Sequence, residues 1–253
     1  MARIVPKTPA ELAKMRRAGR IVAEALEMIR REAKTSVTTG SLDGMVEDLI
    51  RSRDAVPAFK GYRGFPASIC TSINEQVVHG IPGQRRLKDG DVLSVDVGVF
   101  CDGYAADAAV TMEIGDAGEE ARRQIRVGRE ALDAALAVIR SGVRLSQIGL
   151  AVQSTARAAG FNVVRKYTGH GIGREMHEYP QVPNFASSWH RSSGPELPRG
   201  ATIAVEPMLT AGTGDVEELE DGWTVVTKDR KLAVHVEHTL VVEDHGAVIL
   251  TTL

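Results

Sequence analysis

The sequence predicts an α+β fold in which an αββ unit occurs twice, its two copies meeting around a central antiparallel sheet. Three observations carry that reading. Asp91 to Glu113 holds two alternating apolar runs separated by Asp102-Gly103, the strongest short hairpin signal a sequence offers. Leu87 to Asp96 aligns without a gap on Leu197 to Glu206: Leu, Gly and Val recur, Leu93 becomes Ile203, and the final acid is kept. Met15 to Arg30 resembles Ile125 to Arg140 at an offset of about 110 residues, with Gly19 matched by Gly128. So long a period excludes a solenoid. It fits one domain, 1–253, made of pseudo-repeats running roughly over 8–113 and 118–243.

In chain order, Met1 to Lys7 is a short tail. Thr8-Pro9-Ala10-Glu11 is a capping box with Pro at the first helical position. Leu12, Met15, Gly19, Val22, Leu26 and Ile29 follow at helical steps, which predicts a helix to Ala33. Gly40 and Ser41 precede a second helix with Leu42, Val46 and Leu49 on one face. Pro57 to Pro66 is an aromatic, Gly-rich loop, Ser68 to Val78 is extended, and His79 to Gly83 turns. In the hairpin that follows, a two-residue turn sets Cys101 opposite Tyr104, Asp107 opposite Gly98, and Asp96 opposite Ala109. Asp96 and Asp107 then share a face with the small residues Ser94, Ala105 and Thr111, while Leu93, Val95, Val97 and Val99 form the core face.

The second half begins with a helix over Gly118 to Arg140 and another over Leu145 to Ala159, closed by Gly160. Phe161 to Tyr167 reads as a strand. Gly169 to His177 has too many glycines for a helix, and its two histidines are not at the spacing of a helical zinc site. Gln181 to Gly200 is a surface loop. Ala201 to Glu206 is a strand whose last residue is held extended by Pro207. Trp223 to Thr227 and Leu232 to Val242 read as a last hairpin around Lys228-Asp229-Arg230, with Glu237 standing where the first half has Asp107.

A net charge of −2 gives no reason to expect nucleic acid as a partner. Two cysteines in 253 residues make no disulfide framework, so a cytoplasmic compartment is expected. Met1 to Arg20 is charged throughout and has no apolar signal core, and no apolar run nears the ~18 residues of a membrane span.

Charged groups on or beside apolar strands are rare unless paired or metal-bound. Asp96, Asp107, His170, Glu206 and Glu237 all occupy such places. Four acids and a neutral imidazole call for two divalent cations to offset their charge. Oxygen-rich ligation with one imidazole suits Mn, Fe, Co or Zn, and a pair of such ions can clamp both ends of a hydrolysis.

The order Asp96, Asp107, His170, Glu206-Pro207, Glu237, with S-I-C-T-S-I-N-E-Q-V-V-H-G-I-P from Ser68 to Pro82 and T-G-H-G-I-G-R-E-M-H-E from Thr168 to Glu178, resembles the type I methionine aminopeptidases in their short bacterial form. The resemblance runs from Lys7 to Leu250. It implies the pita-bread fold, in agreement with the repeat. It further implies that the five residues above bind two metal ions, bridged by Asp107 and Glu237, and that a hydroxide between the ions attacks the peptide bond. His79 and His177 would hydrogen-bond the scissile amide and the tetrahedral intermediate, and Glu206 would shuttle a proton to the leaving amine. Tyr62, Phe65, Cys70, Met176 and Trp223, with Phe59 nearby, would line the methionine pocket. The implied substrates are nascent polypeptides that begin with Met, met in transient association with the ribosome. The internal twofold leaves no need for an oligomer, so a monomer is expected.

Arg63 stands where some relatives have a His, and it reads either as a contact for the substrate further along or as a solvated loop residue. His190, His238 and His245 match no functional position of that family, and His235 shares the Glu237 face by parity alone. Two rival readings differ from the main one. A proline-specific aminopeptidase or dipeptidase usually carries a large N-terminal domain, whereas this chain starts directly with its first helix. A silent pita-bread module that binds peptide, histone or RNA loses metal ligands, and none is lost here.

Overall fold

The computed structural model describes residues 3–186 and 193–253. The first helix, α1 (Pro9–Glu32), starts at the capping box: Thr8 Oγ1 accepts from the Glu11 amide at 3.4 Å and Glu11 Oε2 accepts from the Thr8 amide at 2.8 Å. The second, α2 (Thr39–Ser52), starts earlier than the sequence suggested. Thr38 is the cap, its hydroxyl accepting from Ser41 at 3.1 Å, so Gly40 and Ser41 lie in the first turn. A glycine is needed there because a Cβ on Gly40 would sit 3.0 Å from the Gly83 carbonyl.

The stretch expected to be continuously extended is broken. After β1 (Val56–Pro57) and a 3-10 turn over Tyr62–Gly64 come β2 (Ile69–Ile73) and β3 (Gln76–Val78), parted at Asn74, which takes φ 60°. The Asn74 side chain spends its bonds on the next strand, donating to Asp91 Oδ1 (2.9 Å) and accepting from Val92 N (2.8 Å). The hairpin of β4 (Val92–Cys101) and β5 (Tyr104–Glu113) has the expected register: Asp96 faces Ala109 and Asp107 faces Gly98. Strand β4 also pairs with β1 and β2. Helices α1 and α2 cover the Leu93, Val95, Val97 and Val99 face with Ala18, Val22, Ile29, Leu42 and Val46. That leaves the carboxylate face turned inward to the rest of the molecule.

The second half starts with α3 (Glu119–Val138) and α4 (Leu145–Ala158). Of the strand expected over Phe161 to Tyr167, only β6 (Asn162–Val163) forms, because after Val164 N bonds Met208 O at 3.0 Å the chain leaves the sheet. Next come β7 (Gly169–Gly171) and β8 (Glu178–Val182); the loop expected from Gln181 therefore begins inside a strand, and its residues 187–192 lie outside the described part. The remaining strands are β9 (Thr202–Val205), β10 (Met208–Thr210), β11 (Val216–Glu218), β12 (Val225–Thr227), β13 (Ala233–His235), β14 (His238–Glu243) and β15 (Gly246–Ile249).

The last hairpin is not as expected. Strand β12 pairs with β11 and β3, and the partner of Leu232 to Val242 is the stretch 202–210. That ladder keeps one register from Thr202 opposite Val241 to Thr210 opposite Ala233. It is interrupted at Glu206-Pro207, where Pro207 has no N–H to give and only accepts, from Val236 N at 3.2 Å. The register also corrects the repeat. Continuing it sets Glu206 opposite Glu237, whereas Asp96 lies opposite Ala109; Met208 lies opposite His235, whereas Gly98 lies opposite Asp107. With Glu206 as the counterpart of Asp96, the residue standing at Asp107's place is His235, and Glu237 stands at that of Ala109.

The two halves join along the same residues. Ala109 and Glu237 exchange backbone hydrogen bonds, at 3.0 and 3.4 Å. On one side the Thr111 hydroxyl accepts from His235 N (3.0 Å); on the other the Thr239 hydroxyl accepts from Asp107 N (3.0 Å). The reciprocity of these two threonine contacts is what a local twofold through the Ala109–Glu237 pair requires. Among the described residues no helix is long and apolar enough to cross a membrane.

Candidate metal centre

The seam between the halves carries the buried acids. Asp96 comes from β4, Asp107 from β5, Glu206 is the residue after β9 and Glu237 the residue before β14. His170 is the middle residue of β7, opposite Ala204 of β9. One ligand atom each from Asp107, His170 and Glu237 lie within 4.8 Å of one another. His170 Nε2 is 3.5 Å from Asp107 Oδ2 and 3.7 Å from Glu206 Oε1. Its Nδ1 lies 2.9 Å from the Gly171 carbonyl, which can only accept, so Nδ1 carries a proton and Nε2 is the nitrogen turned to the acids. Thr239 orders Asp107, its hydroxyl 2.9 Å from Oδ1.

The cluster is electrostatically incomplete with protein atoms alone. Asp96 Oδ1, Glu237 Oε1 and His235 Nε2 are sealed from solvent and have no hydrogen-bond partner. Burial, then the charges of Asp107 and Glu206, pushes Asp96 far above the usual carboxylate range. Burial and the charges of Asp107 and Asp96 do the same to Glu237. Burial raises Glu206 to about 8, with His170 pulling the other way. Burial favours the neutral form of His170, but the hydrogen bond and charge of Asp107, helped by Glu206, hold it up at about 9. Sealed carboxylate oxygens without donors, crowded around one imidazole, are what a divalent cation satisfies, and the donor set fits Mn, Fe, Co or Zn.

A pocket of about 500 Å³ opens onto this cluster. Phe59, Tyr62, Phe65, Cys70, Met176 and Trp223 form its apolar walls, and the Phe65 and Trp223 rings meet edge to face at 5.1 Å. His79 and His177 stand at the boundary between walls and acids. His177 Nδ1 is 2.9 Å from the Tyr62 hydroxyl, and its ring stacks on Tyr62 and leans against His170 at 4.2 Å. His79 sits at φ 60° with its ring edge-on to Tyr167 and Trp223. The turn that presents it is sewn to β2: Gly80 O accepts from Thr71 N at 2.8 Å, and a Cβ on Gly80 would meet the Thr71 carbonyl at 2.2 Å. Burial lowers both histidines to about 4, with the His170 charge adding to the effect on His177, so both rings are neutral N–H donors at neutral pH.

The structure thus brings together every residue that the sequence reading put at the site. Arg63 is not part of the pocket; exposed, it lies over the Tyr62 ring with its guanidinium 5.3 Å from the centroid. His238 bonds Thr251 at 2.8 Å and His245 is exposed on a turn, while His190 lies outside the described residues. Sequence reasoning missed Thr239 and Tyr167, which no motif marks, and held His235 only by parity.

The model of metallopeptidase family M24 matches residues 13–244. The methionine aminopeptidase of Clostridium acetobutylicum is 47% identical over 249 residues, covering 98% of both chains. Methionine aminopeptidase 1 of Bacillus subtilis is 44% identical, covering 98% of this chain and 99% of its own. The crystal structure of methionine aminopeptidase from Thermotoga maritima superposes with a TM-score of 0.96 at 42% identity, covering 99% of this chain and all of that one. A duplicated fold with acids at its seam, and relatives this similar along their whole length, agree: the chain belongs to metallopeptidase family M24, among its methionine aminopeptidases.

Proposed function

We propose that this protein hydrolyses the peptide bond after an N-terminal methionine, with divalent ions held by Asp96, Asp107, His170, Glu206 and Glu237. The observation that carries the proposal is the apolar pocket ending on four carboxylates, two of which (Asp96 and Glu237) keep a buried oxygen with no protein partner. The cluster's charge would be offset by two divalent ions of the Mn, Fe, Co or Zn class, for which Asp107 and Glu237 would be among the ligands. When bound there, such ions supply a water activated at neutral pH and polarise the substrate carbonyl.

The chain's own residues do the rest. Phe65 and Trp223 offer ring edges to a thioether, a contact worth about 0.3–1.5 kcal/mol, and Cys70 and Met176 complete a wall without charge. His79 and His177, neutral at pH 7, donate to the carbonyl oxygen as it gains charge. Tyr62 fixes the His177 ring for that donation. Glu206, half-buried beside His170, takes the proton released by the attacking water and gives it to the departing amine. The substrates on this reading are the N-termini of nascent proteins in the cytoplasm, met transiently at the ribosome by a monomer.

The test is methionine release from Met-Gly-Met by chelator-stripped protein, by the same protein given Mn or Co, and by an Asp107→Asn variant. Release that needs metal and fails in the variant supports the proposal. Cleavage of Xaa-Pro peptides in place of Met-Gly-Met, or no release with metal demonstrably bound, overturns it.

A further inference from the structure

We propose that His235 is a positioning residue for the metal centre, which holds the Glu206 carboxylate in its ligating orientation by a hydrogen bond from Nε2–H. The proposal rests on the metal-binding reading above. His235 is 2% exposed, and its Nε2 is buried without a partner. That nitrogen lies 3.8 Å from Glu206 Oε2 and 3.7 Å from Glu237 Oε2, while the other Glu206 oxygen faces His170. The gap to Glu206 exceeds an ordinary N–H···O bond by about 0.8 Å, and the proposed bond forms when the Glu206 carboxylate turns toward Nε2.

The backbone fixes the ring's place. His235 N donates to Thr111 Oγ1 at 3.0 Å, and Thr111 Oγ1 lies 2.6 Å from its carbonyl, so the residue is clamped on the β5 side of the seam. The local twofold puts His235 at the position that Asp107 fills in the first half. A second aspartate at that point would add a fifth acid to an already crowded cluster. An imidazole there adds a donor without adding negative charge, and places it between Glu206 Oε2 and Glu237 Oε2. Ligating carboxylates ordered by an outer hydrogen bond commonly lose about 10–100-fold in metal affinity when that bond is removed.

The experiment measures Co or Mn affinity by calorimetry for the wild-type chain, His235→Leu and His235→Gln, and the melting temperature of each with and without metal. The glutamine amide N–H reaches to the place of Nε2 and serves as the conservative rescue. The expected result is affinity about 10–100-fold weaker for His235→Leu, restored to within about threefold by His235→Gln. The chelated His235→Leu protein should melt no lower than chelated wild type, since the change removes an unsatisfied buried polar atom, while its gain in melting temperature on adding metal should shrink. Unchanged affinity in His235→Leu overturns the proposal. So does weak affinity that His235→Gln fails to restore, or a loss of stability equal with and without metal, which marks a packing role. A wild-type chain that binds no metal refutes the metal-binding reading itself, a separate and recognisable failure.

Discussion

Gly98→Ala tests the pocket wall through a residue that touches no substrate. Gly98 lies opposite Asp107 on the inward face of the central hairpin. A Cβ there would stand 2.5 Å from Phe59 Cε1, 2.9 Å from Phe59 Cζ and 3.1 Å from Ala58 Cβ. Carbon atoms pack at about 3.5–4.0 Å, so the ring must retreat by about 1 Å. Strand β4 cannot yield, because it is paired on both sides and Gly98 O accepts from Ala58 N at 2.8 Å. Overpacking of this kind costs about 1–3 kcal/mol, and for a chain of this size the melting temperature should fall by about 2–12 °C. The ring's free direction is the pocket it lines. An intrusion of methylene size there is worth about 1–3 kcal/mol of side-chain binding, so kcat/KM on Met-Gly-Met should fall about 10–200-fold. The loss should appear mostly in KM, because in the proposed pocket Phe59 meets the side chain and not the reacting bond. Steady-state kinetics alongside calorimetric metal titration separates the effects, metal affinity being expected to stay within about threefold because Gly98 supplies no ligand atom. A lowered melting temperature with an unchanged KM would refute the argument, since the ring would then have moved elsewhere and Phe59 would not bound the methionine site.

Other outcomes follow from the same geometry. His177→Ala should lower kcat by about 10²–10³-fold with metal affinity kept, checked by single-turnover kinetics and metal titration, because on the proposed mechanism it removes a donor to the developing oxyanion and no ligand. The chelated protein should melt at lower temperature at pH 9 than at pH 6.5. His170, raised from 6.5 to about 9, gives stability that is lost as pH climbs through that window; Glu206, raised from 4.5 to about 8, loses it too as it ionises; and His79, His177 and His235, lowered to about 4, 4 and 3, have already released their protons below it. Bound metal should remove this trend, and a chelated protein equally stable at both pH values counts against the buried charge cluster. Cys70 and Cys101 are buried with pKa values raised chiefly by burial, so a thiol reagent at pH 8 should leave the native protein untouched and label both cysteines in denaturant.

What could be read from the sequence was whatever local chemistry decides. Asp102-Gly103 dictates a two-residue turn, and that turn fixes the register that makes Asp96 and Asp107 neighbours. The Thr8 capping box fixes the start of the first helix within a residue. The four acids and the imidazole stand out as charge on or beside apolar strands, but motif resemblance tied them, and the aromatic pocket, to one site, since nothing local says that residues this far apart converge. The misses have non-local causes. Trp223 to Thr227 has the pattern of a hairpin arm, but its pairing goes to β3, far back in the chain, and to β11. The counterpart of Asp107 was misplaced because alignment of the repeats counts residues along one strand, whereas the twofold depends on pairing across two. His235 was under-read for the same reason: parity says which face, and only the seam says what lies opposite.

The reciprocal backbone pair between Ala109 and Glu237 has a kinetic consequence. It closes a loop of more than a hundred residues, and Leu250, whose carbonyl would meet a Cβ on Gly19 at 2.1 Å, closes one nearly as long as the chain. Non-local closures of this kind slow folding, because their entropy is spent before any contact repays it. The central hairpin and its two covering helices can condense early from local contacts, yet they hold only Asp96 and Asp107. His170, Glu206 and Glu237 arrive with the later half, so with the ligand set proposed above ion capture would wait until nearly the whole chain has been synthesised and docked. On that reading metal uptake would report the end of folding, and an incomplete chain would carry two of the acids without a complete site.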